Sequence, residues 1–117
     1  MPGYRKQGDP PALYQNVVVV SLDTALAIQA TGATFVLLLC GSDPSSVHME
    51  ALLRTVLQHH QPEVLALKVQ VTCTADANRL AVVMVPQLRV YRDGQEISRQ
   101  RGTMDYGHLI TFLREAA

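Results

Sequence analysis

Six consecutive apolar residues, Phe35 to Cys40, constrain the fold of this chain more than any other feature of its sequence. The run has the length of a β-strand, and it lacks the polar alternation of a strand that has one face in water. It therefore predicts a strand covered on both faces, as in a parallel sheet flanked by helices.

The segments on either side of this run contain strand and helix patterns. Val17–Val20 is a β-branched run of strand length, and residues 22–30 have helical spacing, with Ser21 or Asp23 as the cap. Asp43 before Pro44 is a helix-start signal. It precedes an apolar stripe with the spacing of one face of a helix of about 14 residues, formed by Met49, Leu52, Leu53, Val56 and Leu57.

The second half of the chain continues the alternation of strands and helices and then changes to a hairpin followed by a helix. Residues 64–71 predict a third strand, and residues 75–80 predict a short helix. Asp93-Gly94 is the strongest hairpin-turn signal in the sequence, and residues 97–101 form the return strand. Asp105 is the predicted cap of a last helix. The order β α β α β α β β α predicts an α/β fold with a mixed central sheet, helices on both faces, and a C-terminal hairpin followed by a helix.

Length and composition limit the classes of function. A chain of 117 residues fits one domain, which we place at residues 14–117 behind a flexible N-terminal tail, residues 1–13. Apolar residues make up 48% and charged residues 17%, which excludes a disordered chain. The equal numbers of acidic and basic residues, 10 of each, argue against a nucleic-acid partner. We find no run long enough to span a membrane and no signal-peptide core, so we expect a cytoplasmic protein, or a stromal one if a transit peptide has been removed.

The cysteines and histidines do not predict a metal site. Cys40 and Cys73 lie 33 positions apart, and the four histidines have no ligand spacing with them. We therefore expect neither a metal ion nor another cofactor.

Several segments in the second half carry a resemblance to a known family. They are Arg79-Leu80-Ala81-Val82, Val85-Pro86-Gln87-Leu88, Tyr91-Arg92-Asp93-Gly94, and Gly102 followed by Gly107-His108-Leu109 and Phe112-Leu113. In register they resemble the basic-aromatic-Gly-Val, Ile-Pro-Thr-Leu and Phe-Lys-Asn-Gly segments and the last strand and helix of thioredoxins. The resemblance covers about 100 residues and implies the thioredoxin-like fold, with Pro86 as its cis proline.

The chain departs from this family at the redox site. Thioredoxins have Trp-Cys-Gly-Pro-Cys where this sequence has Ser42, Asp43, Pro44, Ser45 and Ser46. Asp43 and Ser46 stand at the two cysteine positions, and Leu37 stands at the family's buried aspartate. Disulfide exchange needs a thiolate and a second thiol, which neither Asp nor Ser provides. The comparison therefore implies a redox-inactive member that is not an enzyme.

Asp43 has a structural and a functional interpretation. As a helix N-cap, its carboxylate satisfies free amides and meets the positive end of the helix dipole. As a general base or half of a metal site it would need a positioned second group, and the sequence offers none. We therefore favour the cap.

Three further features have two interpretations each. Cys40 and Cys73 lie near the C-terminal ends of parallel strands, so they are either a displaced redox pair or, as we favour, two small buried hydrophobic residues. Pro86 either keeps the backbone of Val85 free to pair with an extended peptide or is retained for the bend alone. The third feature is a set of arginines on the hairpin, which either keep an edge strand soluble, as we favour, or form a docking surface for an acidic partner: Arg89, Arg92, Arg99 and Arg101.

These observations predict a thioredoxin-like domain that binds protein or peptide, as an assembly chaperone, accessory subunit or scaffold. The segment from Val36 to Pro44 resembles the Val-Leu-Leu-Ser-Ser-Asp-Pro stretch of cysteine-free, thioredoxin-like accessory proteins of nickel–iron hydrogenases, which favours the chaperone role. The alternative is an atypical thiol–disulfide oxidoreductase that uses Cys40 and Cys73. The oligomeric state stays open.

Overall fold

The computed structural model describes residues 16–60, 63–82 and 84–116. Its elements are β1 (Val17–Val19), α1 (Leu22–Ala30), β2 (Phe35–Cys40), α2 (Pro44–His60), β3 (Ala66–Gln70), α3 (Thr74–Leu80), β4 (Gln87–Arg92), β5 (Gln95–Arg101), α4 (Tyr106–Leu113) and a final 3₁₀ turn (Arg114–Ala116). This is the predicted order of elements. The predicted tail, residues 1–13, lies outside the described residues.

The five strands form one mixed sheet in the order β1-β3-β2-β4-β5. β1 and β2 both pair with β3 in parallel, as the intervening helices predicted. β4 pairs antiparallel with β2 and with β5. All six residues of β2 are buried, because this strand lies at the centre of the sheet with helices over both faces.

Helices cover the two faces of the sheet in two separate apolar clusters. One cluster joins Val36, Leu38 and Cys40 of β2 to α2 and α4. The other joins Phe35, Leu37 and Leu39 to α1 and α3. Successive side chains of β2 therefore point alternately into the two apolar clusters. Every residue from Phe35 to Cys40 lies in a core, which explains why the run is apolar throughout.

Local signals fix the ends of the elements. Ser21 accepts a hydrogen bond from the amide of Thr24 at 3.1 Å, and Asp105 accepts one from His108 at 2.8 Å, so both predicted caps are confirmed. Asp93 and Gly94 have φ of 54° and 82°, the two positive values that a type I′ hairpin turn requires. A Cβ atom on Gly94 would lie 2.8 Å from the carbonyl oxygen of Gln29, so only glycine fits there.

Our interpretation of Arg89 as a solvating residue near the sheet edge is wrong. β4 lies between β2 and β5, and Arg89 is only 3% exposed. Its guanidinium bonds to Gln87 Oε1 at 2.6 Å and to the carbonyl oxygen of Leu80 at 2.5 Å. The charge is tolerated inside because side-chain and backbone oxygens accept its hydrogen bonds.

No helix in the described part of the chain has the length and hydropathy that a membrane-spanning segment needs.

Candidate functional site

The candidate site begins at the turn that joins the C-terminal end of β2 to α2. Ser46 is fully buried in the first turn of α2, and its hydroxyl donates to Asp43 Oδ1 at 2.7 Å. The Ser46 amide donates to Asp43 Oδ2 at 3.0 Å, and the Gly41 amide donates to Ser46 Oγ at 3.0 Å. These three bonds close a network across the whole turn, and they confirm Asp43 as the cap of α2.

This network also sets the charge of the turn. The hydrogen bond from the Ser46 hydroxyl, opposed in part by desolvation and helped by nearby backbone amides, holds the pKa of Asp43 below its usual range. The carboxylate is therefore ionised at neutral pH and acts as an acceptor. Sequence reasoning identified the cap but missed Ser46 as the residue that ties β2 to α2, although a cap followed three residues later by a side-chain partner is a known pattern.

The Val85–Pro86 segment lies against this turn, and its peptide bond is cis. A Cβ atom on Gly41 would lie 2.9 Å from Asp43 Oδ1 and 3.0 Å from Val85 Cγ2. The absence of a side chain on Gly41 therefore lets the Asp43 carboxylate and the Val85 side chain both approach the same point of the turn. The structure thus brings together the two segments, Ser42–Ser46 and Val85–Pro86, that we singled out from the sequence.

The backbone next to Pro86 is only partly used by the fold. The Pro86 carbonyl accepts a hydrogen bond from the Gly102 amide at 2.8 Å, which ties this segment to the end of β5. Among the described residues, neither the N–H nor the C=O of Val85 has a hydrogen-bond partner. A half-exposed residue with free backbone groups is what an extended peptide needs for β-type pairing.

Two exposed apolar side chains lie next to these segments in the chain. Val47, which follows Ser46, is 61% exposed, and Met84, which precedes Val85, is 47% exposed. Met84 also lies near the end of β5: a Cβ atom placed on Gly102, the residue after β5, would be 3.9 Å from Met84 Cε. We did not identify either residue from the sequence, because an apolar residue beside an element boundary carries no signal of exposure. We call Ser42–Val47 and Met84–Pro86 together the turn surface.

The two cysteines have different environments, and both are free thiols. Cys40 is buried, and this burial raises the pKa of its thiol to about 11, with Lys68 acting in the opposite direction and Glu50 and Asp43 adding to the rise. Our interpretation of both thiols as buried is wrong for Cys73, which is exposed. Cys73 lies in the loop after β3 and immediately precedes α3.

The position below the turn is apolar. Leu37 is 2% exposed and lies opposite Leu67 on β3 and Arg89 on β4. It belongs to the apolar cluster under α1 and α3. Within the described residues, no group of three or more histidine, cysteine or acidic side chains is placed to hold a metal ion.

Comparison with known proteins identifies the fold. No model of a protein family matches the chain, and no curated protein matches it. Among solved structures, Trxlp from Edwardsiella tarda EIB202 is 26% identical, covering 83% of this chain and 97% of its own, with a TM-score of 0.70. Thioredoxin F from spinach chloroplast is 19% identical over 86% of this chain and 93% of its own, with a TM-score of 0.71. Thioredoxin from Trypanosoma brucei brucei is 19% identical over 87% of this chain and 91% of its own, with a TM-score of 0.72.

Their TM-scores show that these three structures share the fold of this chain, and their names identify two of them as thioredoxins. The predicted fold class is therefore confirmed: the chain has a thioredoxin-like fold.

Proposed function

We propose that this protein is a non-catalytic, thioredoxin-like binding module, which holds an extended segment of a protein partner at the turn surface. The observation that carries the proposal is the hydrogen-bonded pair of Asp43 and Ser46, which the resemblance aligns with the two cysteines of thioredoxins. An ionised carboxylate and a buried hydroxyl close the turn without a disulfide, and neither group exchanges thiols.

The free backbone of Val85 supports peptide binding. An extended segment paired with Val85 would lie beside the closed turn and across the exposed side chains of Met84 and Val47. Such a surface combines free backbone groups, which give affinity, with apolar contacts, which give selectivity. This arrangement suits an assembly chaperone, an accessory subunit or a scaffold acting in the cytoplasm. The resemblance of Val36–Pro44 to hydrogenase accessory proteins makes the maturation of a metalloenzyme a specific form of the same proposal.

The rival proposal, a thiol–disulfide oxidoreductase that uses Cys40 and Cys73, is the weaker one. The nucleophile in disulfide exchange is the thiolate, and burial keeps the Cys40 thiol protonated at neutral pH. Cys73 is exposed, but Cys40 would need to leave the core to meet it in a disulfide.

A pair of matched variants tests the binding proposal. A photo-crosslinking residue at the exposed position 45 identifies the partner, and its affinity is then measured for the parent, Met84→Glu and Leu65→Glu. Met84 and Leu65 are similarly exposed, at 47% and 42%, but Leu65 lies at the N-terminal end of β3, away from the turn surface. We expect Met84→Glu to weaken binding about tenfold or more, because it places a charge in the apolar contact.

Leu65→Glu should leave the affinity unchanged. Equal affinities of both variants would contradict the proposal. So would amide shifts on partner binding that spare residues 42–47 and 85 and fall only on residues 89–101.

A further inference from the structure

The hairpin carries a group of charged and polar side chains on the sheet face covered by α1 and α3. Gln87 lies opposite Arg101, and Arg89 lies opposite Arg99 in the antiparallel register. Side chains of directly opposed residues share one face of a sheet. We call these four residues, with Glu96, the arginine cluster.

The inner part of the arginine cluster is buried, and no acidic side chain of the described residues forms an ion pair with it. Arg89, at 3% exposed, bonds to the oxygens of Gln87 and Leu80. Gln87 is fully buried, and its Nε2 group has no hydrogen-bond partner within the described part of the chain. A buried donor without an acceptor is costly, so an anion that reached this side chain would relieve an existing penalty.

The outer part of the arginine cluster has more positive than negative charge. Glu96 accepts two hydrogen bonds from Arg99, at 2.5 and 2.7 Å. The hydrogen bond from Arg99, together with the fields of Arg89, Arg99 and Arg101, holds the pKa of Glu96 below its usual range. Three guanidiniums therefore act on one carboxylate, while the chain as a whole has zero net charge. The Arg101 guanidinium is exposed and has no hydrogen-bond partner among the described residues.

The strand that carries Arg99 and Arg101 lies at the edge of the sheet. β5 has seven residues and, among the strands of the described residues, pairs only with β4, so a row of its backbone groups faces outward. Side chains alternate between the two faces of a strand, so every second side chain of a strand added at this edge would lie on the sheet face that carries the arginine cluster. Arg99 and Arg101 are themselves separated by this period of two residues.

We propose that the arginine cluster binds the carboxylates of an acidic, extended segment of a partner protein, which pairs with β5 as an added strand. Arg101 is the accessible guanidinium and makes the direct contact, because its fork matches a carboxylate in two parallel hydrogen bonds. The positive charge of Arg89 also attracts the carboxylate, and solvent screens this attraction little because Arg89 is buried.

The proposal is independent of the turn surface, since β5 and the arginine cluster contain none of its residues. It is tested with a short peptide of alternating glutamate and threonine, and with the same peptide carrying glutamine for glutamate. Affinity is measured by fluorescence anisotropy for the parent, Arg101→Gln and Arg92→Gln. Arg92 is the matched control because it lies on the same hairpin, but its guanidinium bonds to the carbonyl oxygen of Glu115 near the C-terminus.

We expect the acidic peptide to bind the parent, to bind more weakly as salt rises, and to lose about tenfold or more in affinity for Arg101→Gln. Arg92→Gln should bind like the parent. In the bound state, the side-chain amide resonance of Gln87 and the backbone amides of β5 should shift. Equal binding of the glutamine peptide, or an equal loss from Arg92→Gln, would overturn the proposal. Binding of a phosphoserine peptide without binding of the glutamate peptide would overturn it as well.

Discussion

The Ser46 hydroxyl lies 2.7 Å from Asp43 Oδ1 and donates a hydrogen bond to it, while Ser46 Oγ accepts a hydrogen bond from the amide of Gly41. The buried side chain of Ser46 therefore connects the backbone of Gly41, directly after β2, to Asp43, the cap of α2. The carboxylate satisfies the first amides of the helix, and the hydroxyl holds that carboxylate in place. The turn is closed by hydrogen bonds alone.

Replacing Ser46 with alanine should destabilise the fold. The change removes the acceptor of the Gly41 amide and the donor to Asp43 at a fully buried position, and the expected loss is about 1–3 kcal/mol of unfolding free energy. Urea unfolding followed by circular dichroism measures the loss. Ser45→Ala is the control, because Ser45 is an exposed neighbour, and it should stay within about 0.5 kcal/mol of the parent. Equal stabilities of the two variants would show that the hydroxyl network contributes nothing.

The charge of Asp43 should make stability depend on pH. Its pKa is lower in the folded protein than in the unfolded chain, so the ionised carboxylate stabilises the fold above the ordinary carboxyl range. That stabilisation is lost as the pH falls below about 4 toward the lowered pKa. The difference in Tm between the parent and Asp43→Asn should therefore be largest near neutral pH and shrink in acid. A difference that stayed constant down to acid unfolding would contradict this assignment.

Gly41→Ala should disturb both segments of the turn surface at once. The new methyl group would lie 2.9 Å from Asp43 Oδ1 and 3.0 Å from Val85 Cγ2, so one of them must move, at a cost of about 1–3 kcal/mol. Gly107→Ala is the control, because its methyl group meets Asp105 Oδ1 at an ordinary 3.7 Å inside a helix. We expect it to stabilise the protein by up to about 1 kcal/mol. Amide shifts of Gly41→Ala that spared residue 85 would show that the two segments do not touch.

The two thiols should react at different rates. Cys73 is exposed, whereas Cys40 is buried and its raised pKa of about 11 keeps it protonated at neutral pH. In native protein a disulfide reagent should therefore modify one thiol quickly, and the second should react only after unfolding with guanidinium. The fast reaction should disappear in Cys73→Ser. Rapid modification of both thiols in the native parent would contradict the structure of the Cys40 environment.

Much of the fold could be predicted from sequence because its signals are local or periodic. The apolar run of β2, the cap before Pro44 and the Asp93-Gly94 turn each specify their own element, and the alternation of strands and helices specifies the parallel pairings. The helix bounds were less accurate: α2 has 17 residues, more than the stripe of about 14 predicted. A stripe marks only the residues that reach the core, so the polar first turn and last turn are not included.

The errors concern residues whose environment depends on distant parts of the chain. Arg89 is buried because the carbonyl of Leu80 and the side chain of Gln87 accept its hydrogen bonds, and no local pattern shows that such acceptors will be present. The alternation of Gln87, Arg89 and Tyr91 on one face of β4 was the available signal. Cys73 was predicted to be buried but is exposed, because it lies in the loop between the end of β3 at Gln70 and the start of α3 at Thr74.

The central claim, that the closed turn binds without catalysing thiol exchange, is tested most directly by dithiothreitol-driven reduction of insulin. The assay compares the parent with a Cys40→Ser/Cys73→Ser double variant under identical conditions. Our account predicts the same rate for both proteins, at the background level set by dithiothreitol alone, because the resemblance to thioredoxins aligns Asp43 and Ser46 with the two redox cysteines and neither side chain exchanges thiols. A parent that accelerates insulin reduction well above the double variant would contradict it.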